Sequence, residues 1–489
     1  MTTAQEHAGS TPGYSPAQID AALAAFQQAY PAYETTRSLD DLRAREYARL
    51  DAQSQVYLDY TGGGLYADSQ LREHMALLSR GVFGNPHSNN PTSLATTQLV
   101  ERARACVLEF FNASPEEYVA IFTANASGAL KLVGESYPFT AGGHYLLTFD
   151  NHNSVNGIRE YAHAKGSTVT YVPVVPPDLR VDPGKLAGYL DLARPGNHNL
   201  FAYPAQSNFS GVQHPLDWID QAQARGWDVL VDCAAFAPTN RLDLSRWRPD
   251  FVPLSFYKIF GYPTGVGCLL ARKAALEKLH RPWFAGGTIT IASVQGEGHY
   301  LAEGEAGFED GTVNYLNLPA VEIGLKHIAA IGLETIHERV ACLTGWLLDN
   351  LLALRHSNGA PLARVYGPTD LHQRGGTVTL NFYDPSGNLL DYRRIEALAN
   401  RVNISLRTGC FCNPGAGEVA HGLTKAEMTE CFRDEERMSF EQFLTAIQDK
   451  DGKSAGALRV SVGLASNFAD VYRFMGFARG FLDQSAAEI

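Results

Sequence analysis

The stretch "SFYKIFGYPTG", residues 255–265, sets Lys258 among four aromatic rings and closes on a Gly/Pro turn. It follows the short apolar run "DFVPL", so the lysine falls just past the end of a strand. One reading is a lysine whose stem packs on rings while its ammonium reaches water. The other is a lysine in a partly dry pocket, where desolvation lowers its pKa and frees the amine to form a Schiff base with a cofactor aldehyde. The rest of the chain decides between them.

Upstream and downstream lie similar runs: "YVAIFT", "HYLLTF", "TVTYVPV", "NLFAYP", "DVLVDC" and "VGCLLA", each followed by a helical or loop segment. Their near-continuous apolar character predicts strands buried on both faces, hence a mainly parallel sheet in an α/β domain. After about Thr312 the texture changes. "LPAVEIGLKHIAAIGLETIHERVACLTGWLLDNLLAL" reads as one long helical stretch, and "GTVTLNFYD" and "ALRVSVGL" bracket further helix, as a smaller α+β lobe would. Three segments are expected: residues 1–50 as an N-terminal extension with a helix capped near Ser15, 51–312 as the large domain, and 313–489 as the small one. The first fourteen or so residues read as disordered.

In an open parallel sheet, ligands bind beyond the carboxyl ends of the strands. Four such ends carry polar residues. "AIFT" leads through small residues, Ala126, Ser127 and Gly128, into a helix whose N–H groups and Ser127 hydroxyl suit a phosphate; an ordinary capped helix is the alternative. "LLTFD" leads to His152. "VLVD" ends in Asp232, a carboxylate too costly to bury without a cation or N–H partner. "VPLSF" delivers Ser255, Tyr257 and Lys258. An acid ending one strand and a lysine ending the next are what a pyridinium cofactor requires, the acid keeping the ring nitrogen protonated and the lysine holding the aldehyde. With His152 to stack on the ring, the set favours pyridoxal 5'-phosphate (PLP) over a nicotinamide, for which no G-x-G-x-x-G follows the first strand.

Composition narrows the class. The chain has 489 residues and a formal net charge of -12, with no clustered basic face, which argues against nucleic acid or an anionic membrane as partner. No apolar run approaches the ~20 residues of a membrane helix. The start "MTTAQEHAGSTPGYSP" lacks a basic and then apolar leader, so a cytoplasmic protein is expected. Seven cysteines are too few and too odd in number for a disulfide framework. Cys410 and Cys412 share the loop-like "RTGCFCNPGAGE", which reads better as a mobile reactive thiol than as half a zinc site; no metal is expected.

The motifs "VYLDYTGGGLY", "GNPHSNN", "ALKLVGES", "NHNSVNGIREYA", "NFSGVQHPLDW", "LSFYKIFGYPTG", "GFEDGTVNYL", "RTGCFCNPGA" and "GALRVSVG" resemble, in order, the PLP-dependent N-terminal domain of molybdenum cofactor sulfurases. These are cysteine-desulfurase-like members of the class V aminotransferase family, PLP fold type I. The resemblance implies Lys258 as the Schiff-base lysine, Asp232 as the acid at the pyridine nitrogen and His152 as the ring-stacking, proton-moving histidine. It implies phosphate-binding hydroxyls at Ser127 and Ser255, with Thr312 contributed by a second subunit and therefore a homodimer. Asn208 matches a position near the phenolic oxygen, Arg459 the arginine that grips the substrate α-carboxylate, and Cys412 the thiolate that carries sulfur as a persulfide.

Two departures accompany it. Gly417 stands near where the sulfurases have a third cysteine, and the sequence to Ile489 reads as lacking the domain that binds molybdenum cofactor, so that acceptor is not expected. The expected activity is C–S cleavage of L-cysteine or an S-substituted cysteine, by desulfurase or lyase chemistry. Two alternatives stay open. One is a tailoring enzyme of lincosamide antibiotic biosynthesis that decarboxylates and oxidatively deaminates a cysteine S-conjugate; the other is a non-catalytic scaffold of the same fold.

Overall fold

A computed structural model of the chain describes residues 16–431, 442 and 454–489. The expected disorder before Tyr14 and the Ser15 cap lie outside the described residues. Seven strands form the central sheet: β1 (Tyr118–Thr123), β2 (His144–Thr148), β3 (Thr168–Val172), β4 (Asn199–Pro204), β5 (Asp228–Asp232), β6 (Phe251–Ser255) and β7 (Gly267–Arg272). Their order is β1-β7-β6-β5-β4-β2-β3. Strands β2 to β6 pair in parallel, while β7 runs antiparallel to both β6 and β1. The expectation of an α/β fold with a mainly parallel sheet is met.

Burial on both faces explains the unbroken apolar runs. Along β2, Leu146 faces one hydrophobic layer while Tyr145 and Leu147 face the other; along β5, Val229 and Val231 oppose Leu230. Period-two alternation is thus present in direction but invisible in polarity. Helix α1 (Ala126–Ser136) covers one face, packing near β6 and β7, with Asn125 capping its first turn by accepting from the Gly128 N–H at 2.8 Å.

The long helical stretch after Thr312 is two helices, α2 (Leu318–Ile331) and α3 (Leu333–Ala353). They break at Gly332, whose φ of +89° the neighbouring apolar residues would adopt only with strain. A second sheet follows, built from β8 (Ala363–Tyr366), β9 (Thr377–Phe382), β10 (Arg407–Gly409) and β11 (Ala457–Ser461) in the order β8-β9-β11-β10, antiparallel throughout. The segment Val56–Tyr57 crosses to this C-terminal part, pairing in parallel with Ile404–Ser405, and Asp59 bridges to Ser461. Among the described residues no helix is long and apolar enough to cross a membrane, and no group of three or more His, Cys, Asp or Glu could hold a metal ion.

Candidate active site

Beyond the carboxyl ends of the parallel strands lies a cavity of ≈ 450 Å³. Its wall includes Ala126, Ser127, His152, Asn208, Asp232, Ser255, Tyr257 and Lys258, eight of the residues singled out from sequence. Topology brings them together: β5 ends at Asp232 and β6 at Ser255, and these strands are neighbours, so Asp232 and the one-turn helix Phe256–Phe260 carrying Lys258 open on the same space.

Asp232 is buried, and its Oδ1 accepts from the Ala234 N–H at 2.9 Å. Burial pushes the Lys258 amine below the ordinary lysine range, and the Asp232 charge only partly opposes that shift. His152 caps its own short helix, Nδ1 accepting from the Ser154 N–H at 3.1 Å. That bond fixes the neutral ring with its proton on Nε2. Burial also holds the His152 pKa below its usual value, against the pull of Asp232. Ser127 Oγ lies 2.6 Å from Ser154 Oγ at the start of α1, on the exposed side of the cavity.

The remaining expected residues stand around this core. Gly128 and Thr312 line an adjoining cavity of ≈ 330 Å³, which meets the first at Ala124 and Gly265, and Thr312 is exposed. Asn208 reaches the Lys258 cavity, but its amide is engaged: Nδ2 donates to the Phe411 carbonyl at 2.8 Å, and Oδ1 accepts from Asn413 Nδ2 at 2.8 Å. Arg459, on β11, is buried beneath the Phe411 ring, 4.7 Å from its centroid, and is close enough to Lys258 and His152 to lower the pKa of each. Cys412 is exposed on a tight loop where both Phe411 and Cys412 have left-handed backbones, at φ +56° and +54°. Its carbonyl accepts from the Asn153 N–H at 2.7 Å, beside His152. The other cysteines are free too, with Cys233, Cys268 and Cys342 buried.

Sequence reasoning missed Gln206 in the cavity wall, Asn413 under the thiol loop, and the carboxylate–guanidinium group of Asp59, Arg407 and Arg459. Asp59 carried a signal, an acid ending the short apolar run of "VYLDYTGGG", of the kind that drew attention to Asp232.

The arrangement fits PLP: a buried acid, a desolvated amine, a neutral imidazole and a helix N-terminus with hydroxyls converge on one cavity. Comparisons with known proteins agree. The profile of the Aminotransferase class-V family matches residues 56–474. Molybdenum cofactor sulfurase of Solanum lycopersicum is 37% identical over 93% of this chain, which spans 58% of that relative's length. The fold superposes on a cysteine desulfurase from Thermococcus onnurineus with a TM-score of 0.74 at 23% identity, over 91% of this chain and 98% of that one. It also matches C-DES, solved with glycine covalently linked to its PLP cofactor, with a TM-score of 0.66 at 19% identity, over 90% of this chain and 99% of that one.

Proposed function

Because this chain belongs to the class-V aminotransferase family and is a PLP-dependent enzyme of the cysteine-desulfurase kind, we propose that it cleaves the C–S bond of L-cysteine or an S-substituted cysteine. The observation that carries the reading is the convergence of Lys258, Asp232 and His152 on one cavity, with the exposed Cys412 loop beside it. When bound, PLP supplies an electron sink for the pair released at Cα.

In this reading Lys258 would anchor the cofactor and would serve as the base for the Cα proton; a depressed pKa favours the neutral amine that such a base needs. Asp232 would pair with the pyridine nitrogen, having one oxygen not engaged by the Ala234 N–H. His152 would stack on the ring with Nε2–H free to move a proton, and Arg459 would orient the substrate carboxylate. Ser127 and Ser255, with the Ala126 and Gly128 N–H groups, hold the phosphate; Tyr257 closes the wall. With L-cysteine, Cys412 as a thiolate would attack the substrate sulfur: an S–S bond forms as the Cβ–S bond breaks, Cβ takes up the proton given up by the Cys412 thiol, and Cα regains the proton that Lys258 removed, leaving alanine and a Cys412 persulfide.

The reading includes a homodimer in the cytoplasm. The support for the homodimer is the exposure of Thr312 in the adjoining cavity, outside the wall around Lys258, where a second subunit would bring it to the neighbouring phosphate. The chain spans about three fifths of the length of its sulfurase relative. Nothing in the relatives named above favours the antibiotic-tailoring alternative.

The test is to incubate the PLP-loaded protein with L-cysteine and with an S-alkyl cysteine, for wild type and Cys412→Ala, and to follow alanine, pyruvate, sulfide, thiol and carbon dioxide by mass spectrometry. Alanine with a persulfide that disappears in Cys412→Ala is the expected result. Pyruvate and free thiol formed regardless of Cys412 would make it a lyase instead. Carbon dioxide with an aldehyde would overturn the C–S reading.

A further inference from the structure

The edge of Arg459 suited to receive a carboxylate is already half occupied. Its Nη1 donates to the Asn208 carbonyl at 3.0 Å and its Nη2 to Asp59 Oδ1 at 3.1 Å, while Nε is buried with no hydrogen-bond partner among the described residues. Nε–H and Nη2–H lie side by side on one edge of the guanidinium, the geometry that grips a carboxylate with two parallel bonds. Asp59 therefore sits on one prong, and the other is idle.

Asp59 has a second cation. Its Oδ2 accepts from Arg407 Nε at 3.0 Å and Nη2 at 2.6 Å. The Arg407 side chain is 52% exposed, whereas those of Arg459 and Asp59 are 4% and 10% exposed. The better-solvated arginine thus holds the carboxylate by the shorter bonds. The site is built around this acid. The Gly62 and Gly63 N–H groups donate to the Asp59 carbonyl, and a Cβ at Gly62 would come within 2.6 Å of both carboxylate oxygens and 2.8 Å of Arg407 Nη2.

We propose that Asp59 is a resident stand-in for the substrate's α-carboxylate: it neutralises Arg459 in the resting protein, yields Nη2 when an amino acid arrives, and remains paired with Arg407. The inference rests on the reading of Arg459 as the carboxylate-binding residue. A buried guanidinium without a counter-charge is strongly unfavourable, and Asp59 relieves that until the substrate supplies its own carboxylate. The consequence is selectivity. An amine lacking a carboxylate cannot take Asp59's place, so it gains nothing from Arg459. Asp59 and Arg407 are positioning residues that set what Arg459 will accept.

The test is a titration of PLP-loaded wild type, Asp59→Asn and Arg407→Gln with L-alanine and with ethylamine, followed by visible absorbance. Asp59→Asn keeps the shape and removes the competitor, so the L-alanine Kd should fall about tenfold, the factor that corresponds to ~1.4 kcal/mol, while the ethylamine Kd stays within about twofold. The KM for L-cysteine should fall without a rise in kcat. Arg407→Gln should move the L-alanine Kd the opposite way by a similar factor, since Asp59 then bears wholly on Arg459; being half exposed, this position carries the test if Asp59→Asn does not fold. Equal shifts for both ligands, or weaker L-alanine binding in Asp59→Asn, would overturn the proposal and make Asp59 a fixed clamp. If neither ligand perturbs the wild-type spectrum, the amino-acid reading itself fails, and the inference with it.

Discussion

Asn413 Nδ2 donates to Asn208 Oδ1 at 2.8 Å and to the Asp150 carbonyl at 2.7 Å, tying the loop that carries Cys412 to the cavity wall. The same side chain caps the helix Pro414–Ala420 by accepting from the Ala416 N–H at 3.2 Å. The loop needs such ties because Phe411 and Cys412 both hold left-handed backbones, a conformation that costs of order 1–3 kcal/mol per residue.

Asn413→Ala is therefore expected to leave buried acceptors and one N–H unpaired, at about 2–4 kcal/mol of stability. Denaturant unfolding measures the loss. Persulfide formation on Cys412 should fall further than the unfolded fraction accounts for, because the thiol loses its placement. A stability change below about 0.5 kcal/mol would show that the loop is held elsewhere.

How much of this was legible in the sequence depends on how far each partner lies along the chain. Lys258, Asp232 and His152 could be read because each ends or follows an apolar run, and the parallel fold turns strand ends into neighbours. Asp59 could not be assigned a role, because its partners Arg407 and Arg459 lie 348 and 400 residues away. The direction of β7 was equally hidden: "VGCLLA" has the texture of the parallel strands, and composition does not encode strand direction. The break at Gly332 was missed because helical periodicity continues on both sides of it.

Lys258→Ala should abolish any borohydride-reducible adduct with PLP while leaving the fold intact, since the Lys258 amine makes no hydrogen bond or ion pair among the described residues. Mass spectrometry of the reduced, denatured protein checks this. Adduct at wild-type stoichiometry would mean that another amine is the anchor.

His421 makes stability pH-dependent in a defined window. Burial, with the Arg364 charge adding to it, depresses its pKa from 6.5 to about 4. A base depressed in the folded state is protonated first in the unfolded chain, so stability falls as pH drops below about 6.5 and levels off below about 4. At ~1.4 kcal/mol per pKa unit, the full effect is on the order of 3 kcal/mol. His421→Gln should flatten this part of the stability curve between pH 7 and pH 4, read as the denaturation midpoint against pH. An unchanged slope would assign the acid sensitivity to other groups.

Asp232→Asn separates anchoring from chemistry. Asparagine keeps an oxygen to accept from the Ala234 N–H and fills the same buried space, so the fold and the Lys258 adduct should survive. What is lost is the negative charge that keeps a pyridine nitrogen protonated, and with it the stabilisation of charge developing at Cα. Removing one preorganised electrostatic contact of this kind typically costs 10²–10³ in rate, so turnover of L-cysteine should fall by at least about a hundredfold with little change in KM. The charge also acts on its neighbours: it raises the pKa of both Lys258 and His152 against burial. Its loss should move both further down, which a pH–rate profile would register as an acidic limb displaced to lower pH. A variant with near wild-type turnover and an unmoved profile would mean that Asp232 is a structural carboxylate and that the acid at the ring lies elsewhere.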